Sequence, residues 1–551
     1  MVLPDQSIRS FTISLQFLGE VERAGYETRM IGSQRNIIGS RVAFALLAAY
    51  CLLGAATVIV DSTRLLHNPW ENTYFESPQT YAAIYAAQTG KLYIPMSQPP
   101  YTPQAYAPLY YAANACIASY VHRDVDLFIL YSRLMTYVAY LLCGLMVFMI
   151  GRAADISPLH SLLAALMMLG QPDFLGWNIS PRPDMLFLLA MLVSLYCALR
   201  WEDHVWRGYG LAGVFAGIAF LIKQPGIAVA IAICVVLGAQ KQFKKAAALA
   251  AGALAPVAIT FVVLYWRHDP FFQQIMFVGK SFWSIRDAAT FVVSNFITPY
   301  WIVPLCIGAA GFSQAVTMGN KPKMIASFAL VNLLVGLSGL PQVGGYVNYL
   351  LPGIAGCALL LPYAILLVRE RVRLLASLAL VSAALIWTMG AAYTYDRGLS
   401  NYFQPPTDAP LTWLRPFRIL SDRTTMNVHG REPNLLDPFG AHVLELTGYW
   451  NSAPVVDKLN RGEYDLIILT RVTFRHVIPF FRGISYFSPD EVAIMNEKYE
   501  VLCSTMESMV LKPRWREVAA TPQMFSQLFN SRCGTGFRRV PLHLQLAPDT
   551  R

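Results

Sequence analysis

The sequence predicts a mainly α protein: a polytopic membrane helix bundle of about eleven spans, followed by a C-terminal α/β domain on the outer side. Three observations predict it. The 551 residues are 55% hydrophobic and only 14% charged, whereas soluble domains are about a quarter charged. Apolar runs of roughly 17–25 residues, each long enough to cross a bilayer as a helix, recur along the chain. Beyond about residue 392 the composition turns polar enough to fold in water.

The elements follow in order. Residues 1–41 are polar and mixed, without the short apolar core and small-residue site of a cleaved signal peptide. They read as a cytoplasmic segment, and the first span acts as an uncleaved anchor. The domain 42–391 holds spans near 42–60, 127–150, 157–176, 181–199, 205–222, 225–240, 245–266, 292–314, 323–340, 349–368 and 373–391. Positive charge in short loops marks the cytoplasmic side. Arg9, Arg23, Arg29, Arg35 and Arg41 precede the first span. Arg152, Arg200 with Arg207, Lys241 with Lys244 and Lys245, Lys321 with Lys323, and Arg369 with Arg371 and Arg373 then occupy every second connection. One alternation fits them all, provided that "APLYYAANACIASYV" (Ala107–Val121) lies at the outer surface without crossing.

The first outer loop, 61–126, contains "ESPQTYAAIYAAQTG", a surface helix from Glu76 closed by Gly90 as its C-cap. Glu71 and Glu76 are candidate bases, and the loop's many tyrosines suit an interface. "SPRPD" (Ser180–Asp184) opens the span at 181–199. Pro183 and Asp184 fit a helix start. Arg182 does not, because a helix N-terminus disfavours positive charge. Lys223 sits in a tight turn, "KQPG", on the same face. Two outer-face cations beside proline breaks suggest a pocket for an anionic headgroup, although a lysine at a span's end often only snorkels. Arg133 lies inside the second span, where an unpaired charge is costly, so it should pair with a carboxylate or the ligand. "GGYVNYLLP" (Gly344–Pro352) offers Asn348 and Tyr349 as hydrogen-bonding groups, or is an ordinary interfacial connection.

The order of these elements resembles the GT-C glycosyltransferases, the integral-membrane class that includes protein O-mannosyltransferases and aminoarabinose–lipid A transferases. The resemblance is nearest to their bacterial relatives. It rests on Glu76 fourteen residues before "GKLY", then "YAPLYY" (Tyr106–Tyr111), "SRLMTYVAYLLCGLMVFMIGR" (Ser132–Arg152), "SPRPDMLFLL", "FLIKQPGI" and "GGYVNYLLP", in that order. It implies transfer of a sugar from a polyprenyl phosphate or diphosphate carrier to a glycan, lipid or protein acceptor, outside a bacterial inner membrane. It assigns Glu76 as general base, with Lys223, Arg182 and Arg133 as contacts to the donor phosphate. Tyr106, Asn348, Tyr349 and Asp184 become substrate contacts. Two departures stand out. Phe75-Glu76 occupies the place of the Asp-Glu pair of many relatives, and Tyr106 replaces a lysine of the aminoarabinose transferases.

Asp124-Val125-Asp126 is formally the Asp-x-Asp pattern that holds magnesium or manganese in some glycosyltransferases. The same two acids also suit the cap and first turn of the following span. His67, His122 and His268 lack ligand spacing, so zinc is not indicated.

The domain 392–551 is expected to contain strands at Thr424–Val428, Glu463–Thr470, Tyr499–Ser504 and Ser508–Pro513, with helices between them. "LLDPF" (Leu435–Phe439) followed by "GEYDLIIL" resembles the outer domain of the same relatives. Cys503 and Cys533 would be free to pair in an oxidising compartment. The net charge of +10 is explained by topology and anionic lipid, without nucleic acid. Rival readings are a transporter or flippase, whose ionisable residues sit nearer the midplane, and a non-catalytic relative that binds carrier lipid or glycan.

Overall fold

The computed structural model describes residues 44–371 and 411–529 with Cys533, apart from 69–70, 72–75, 279–282, 297–298, 343–344, 433–434, 436, 471–485 and 506–507. The segment 1–41, the span expected at 373–391 and the boundary between the two domains lie outside the described residues.

The bundle is the one the hydropathy predicts. Helices α1 (Phe44–Leu65), α4 (Val125–Ala153), α7 (Leu211–Ile222, continuing a π turn from Val205), α9 (Phe243–Trp266) and α13 (Asn320–Gly339) are long and apolar enough to cross a membrane. Between them lie α5 (Pro158–Leu169), α6 (Asp184–Arg200), α8 (Ala228–Ala239), α12 (Pro299–Ala315) and α14 (Leu351–Arg371). The span expected at 292–314 is instead two helices, α11 (Ile285–Phe296) and α12. Pro299 accounts for the break, since its missing N–H suits a first turn and not a helix interior. α5 is shorter than the expected 157–176, because Gly170 caps it. From there the chain coils to Pro183 inside the bundle, with Phe174 and Ile179 buried. Irregular backbone at this depth requires protein around it.

The loop between α1 and α4 holds two helices. α2 (Glu76–Thr89) ends at Gly90, whose φ of 72° is the left-handed cap. α3 (Pro108–Tyr120) is only 13 residues long, about 20 Å against a hydrocarbon core of roughly 30 Å. It packs beside α2, α4 and α7. At the opposite end of the bundle Lys321 meets Asp155 at 2.9 Å.

Close approach holds the middle of the bundle together. A Cβ added at Gly213 of α7 would fall 2.1 Å from the Leu249 carbonyl oxygen of α9. Small residues let backbones touch where lipid supplies no hydrophobic drive. Gly213→Val is therefore expected to cost about 3 kcal/mol, the upper end for overpacking, because it meets backbone. Gly238→Ala, whose new Cβ would meet nothing within 4 Å, should be near neutral. Thermal unfolding of the purified pair checks this, and equal melting temperatures would refute it.

The C-terminal domain carries a four-stranded sheet ordered β1-β2-β4-β3, from β1 (Ile419–Ser421), β2 (Leu466–Thr470), β3 (Tyr499–Ser504) and β4 (Ser508–Pro513). β1 runs parallel to β2, with Ile419 opposite Leu466, and the other pairs are antiparallel. Successive β2 residues serve opposite faces. Leu466 and Ile468 join one core with Phe525 and Leu528, while Ile467 and Leu469 join another with Val455 and Tyr464. Both faces are thus covered, which is why the strand reads as an unbroken apolar run. The expected strand at Thr424–Val428 is a correction: it is helix α15 (Thr424–His429). Its β-branched residues are overridden by packing against α2 and β1. Helices α16 (Pro438–Leu446), α17 (Ala453–Asn460), α18 (Pro489–Lys498) and α19 (Pro522–Leu528) complete the domain. Cys503 and Cys533 form a disulfide, with their Cα atoms 5.1 Å apart.

Candidate functional site

Three irregular segments meet at one end of the bundle. They are the coil before α6, the turn between α7 and α8, and a 3₁₀ turn (Val347–Tyr349) before α14. Asp184, the first residue of α6, is fully buried and makes no cap. Its Oδ1 accepts instead from Lys223 Nζ at 2.7 Å and from Asn348 Nδ2 at 3.0 Å. Arg182 Nε faces the other oxygen at 3.6 Å. Arg182 also donates to the Tyr106 hydroxyl at 2.8 Å and lies over the Trp177 ring. Lys223 Nζ sits 4.5 Å from the centre of the Tyr349 ring. The backbone beneath is tied down, as Tyr110 donates to the Pro181 carbonyl.

The arrangement explains the anomaly of "SPRPD". Arg182 is turned away from the helix axis onto an aromatic wall, so it does not oppose the α6 dipole. Six of the expected residues therefore belong to one cluster: Arg182, Asp184, Lys223, Asn348, Tyr349 and Tyr106. Two cations against one carboxylate leave one surplus positive charge behind low-dielectric walls, a setting in which an anion is held strongly.

The loop between α1 and α4 builds a second cluster. Arg133 Nη2 donates to Glu76 Oε2 at 2.9 Å, with both side chains almost fully buried. The same guanidinium donates to the Leu66 and Asn68 carbonyls. Arg133 thus has the carboxylate partner its position required, and that partner is the expected base. A carboxylate held by a guanidinium is fixed in orientation.

Glu71 lies beside this pair. Its Oε1 accepts from the Ser77 N–H at 3.0 Å and from the Thr424 hydroxyl of α15. Ser77 also meets Thr425, and His429 Nε2 meets Asp126 Oδ1 at 3.1 Å. The C-terminal domain is therefore seated on the start of α2. Burial pushes the Glu71 carboxyl up to about 6, opposed by the two hydrogen bonds and aided by the Glu76 charge. A raised carboxyl binds its proton better in the folded state, so stability falls as pH rises from the ordinary carboxylate range through about 6. Thr424→Val removes a donor to the ionised form. It is expected to cost about 1.5–3 kcal/mol well above pH 6 and little at pH 5. Melting temperatures at pH 5 and pH 8 test this, and an equal loss at both would refute it.

Two contributors were not among the expected residues. Trp177 backs Arg182, and its only sequence signal was an aromatic near "SPRPD". The Asp173 Oδ2 is buried, with no hydrogen-bond partner among the described residues. Asp124, a candidate metal ligand, caps α4 by accepting from the Leu127 N–H at 2.9 Å. Asp126 is engaged by His429 and Arg415. Among the described residues no group of three or more His, Cys, Asp or Glu could hold a metal ion. Asp124 is thus engaged as a cap and Asp126 in contacts with the C-terminal domain.

Residues 129–266 match the family described as dolichyl-phosphate-mannose-protein mannosyltransferase. That stretch carries Arg133, Arg182, Asp184 and Lys223. No curated protein matches the chain. Among solved structures, ArnT from Cupriavidus metallidurans in the apo state superimposes with a TM-score of 0.54 and 13% identity, covering 84% of this chain and 97% of that one. ArnT from the same organism bound to undecaprenyl phosphate gives 0.55 and 13%, covering 84% and 98%. At such identity the likeness establishes the fold. The ordered motifs, the helix bundle and the C-terminal α/β domain agree with it, and the chain has the GT-C glycosyltransferase fold.

Proposed function

We propose that the protein transfers a sugar from a polyprenyl-phosphate carrier to an acceptor hydroxyl at the outer face of the membrane. The observation that carries this reading is the buried Arg182–Asp184–Lys223–Asn348 cluster, with its surplus positive charge and aromatic walls. The fold neighbour ArnT binds undecaprenyl phosphate, which supports a carrier of that kind.

In this mechanism Lys223 and Arg182 hold the carrier phosphate. The bond from the sugar's anomeric carbon to the phosphate oxygen breaks, and its electrons stay on the phosphate, where the two cations stabilise them. The acceptor oxygen forms the new bond to that carbon from the opposite side. Glu76 takes the acceptor's proton, held in place by Arg133. Tyr106, Asn348 and Tyr349 position the donor. The Cys503–Cys533 disulfide supports an oxidising, extracytoplasmic location for the C-terminal domain.

A flippase would place ionisable groups towards the midplane, whereas these sit at one end of the bundle. The test is sugar release from radiolabelled polyprenyl-phosphate sugars by purified protein with acceptor extracts. Release that depends on the protein supports transfer. Carrier binding without release from any donor would leave a binding or flipping role.

A further inference from the structure

A cleft of about 830 Å³ opens between the first outer loop, α10 (Phe271–Val278) and the segment before α17. We infer that this cleft is a subsite for neutral sugar residues of the acceptor, so that the acceptor is a glycan. This rests on the sugar-transfer reading above.

Four rings line it, Tyr101, Phe272, Tyr449 and Trp450, with the amides of Gln273 and Asn451 between them. Tyr101 is held in place by packing. Tyr101 has φ at 46°, a left-handed backbone that a bulky residue rarely adopts. It keeps that backbone because its side chain is buried in the core of the C-terminal domain, where it meets Trp450 at 5.7 Å. Backbone strain of this sort collects at functional sites and persists only where the surroundings over-determine it. Phe272 and Tyr449 are exposed, at 50% and 37%, so one ring from α10 and one from the segment before α17 are open to a ligand.

The chemistry selects the ligand. Flat apolar rings match the C–H faces of a pyranose, and amide groups both donate to and accept from hydroxyls. Among the described residues no Lys, Arg, Asp or Glu lines the cleft, so it offers no opposite charge to a phosphate or a carboxylate. That separates it from the cation-rich cluster around Asp184, which suits the carrier. The size is that of a small-molecule site. A phospholipid acyl chain would use the rings but not the amides.

The test uses the full chain in nanodiscs and ligand-observed saturation-transfer NMR. The probes are mannobiose, cellobiose and chitobiose, with a glucuronate-containing disaccharide as the charged control. At least one neutral disaccharide should bind, and the charged one should not. Gln273→Ala and Tyr449→Ala should each weaken binding fivefold or more, while undecaprenyl phosphate binding stays unchanged. No binding by any neutral probe overturns the inference, as does binding that both variants keep. A spin-labelled phospholipid that broadens wild type but not Tyr449→Ala also overturns it, assigning the cleft to lipid. If the sugars bind as expected but undecaprenyl phosphate does not, the subsite stands and the carrier-based reading falls.

Discussion

Lys223→Met is expected to reduce sugar transfer by about 10²–10³-fold, the usual cost of losing one preorganised group that meets developing charge. It should also destabilise the protein, because Asp184 would be left buried with its nearest cation gone. Breaking a buried pair from one side costs about 3–5 kcal/mol, whereas replacing both charges by groups of similar shape is often neutral. The double variant Lys223→Met/Asp184→Asn separates the two effects. It should regain most of the lost melting temperature and none of the lost transfer. If transfer returned together with stability, the lysine would be a structural counter-ion and the phosphate would be held elsewhere. Asp184→Asn alone leaves Lys223 and Arg182 without a counter-charge, so undecaprenyl phosphate should raise its melting temperature more than that of wild type. The carrier phosphate would then supply the charge that the carboxylate had provided.

The parts of this arrangement legible in the sequence are those written in local patterns. Apolar runs disclosed the spans, Gly90 closed the surface helix, and a charged break at the mouth of a span marked Arg182 and Asp184. Lys223 and Asn348 could be assigned to the same face, since each adjoins a proline or glycine break. Their convergence on one carboxylate oxygen could not be read, because it depends on how α6, α7 and α14 pack. The pairing of Arg133 with Glu76 spans 57 positions, and charge in a span shows only that some partner is needed. α15 misled the pattern reading for a related reason. Thr424, Thr425 and Val428 favour a strand locally, but all six residues of the segment are buried, and contact with α2 decides its form. The single span expected at 292–314 failed at Pro299, a residue that the hydropathy average conceals.

Glu76→Gln is expected to lower transfer by about 10²–10⁴-fold, the range for losing a positioned general base, with carrier binding unchanged. The amide keeps the shape and can still accept from Arg133, but it cannot take the acceptor's proton. A structural role would also reduce activity, since Arg133 would lose its charge partner inside the protein. The variant Glu76→Gln/Arg133→Gln addresses this by removing both charges, and it should recover stability while remaining inactive. Glu71→Gln provides the second comparison. Glu71 lies close enough to feel the Glu76 charge, and its carboxyl, near 6, is poised for proton transfer. If Glu71→Gln abolished transfer and Glu76→Gln did not, the base would be Glu71, and the Glu76 charge would serve to raise its basicity. The pH dependence distinguishes the same alternatives. With Glu71 as base, the rate would climb through about pH 6, and Thr424→Val would move that rise to higher pH. With Glu76 as base, Thr424→Val, whose lost hydrogen bond is to Glu71, would leave the pH profile where it stands in wild type.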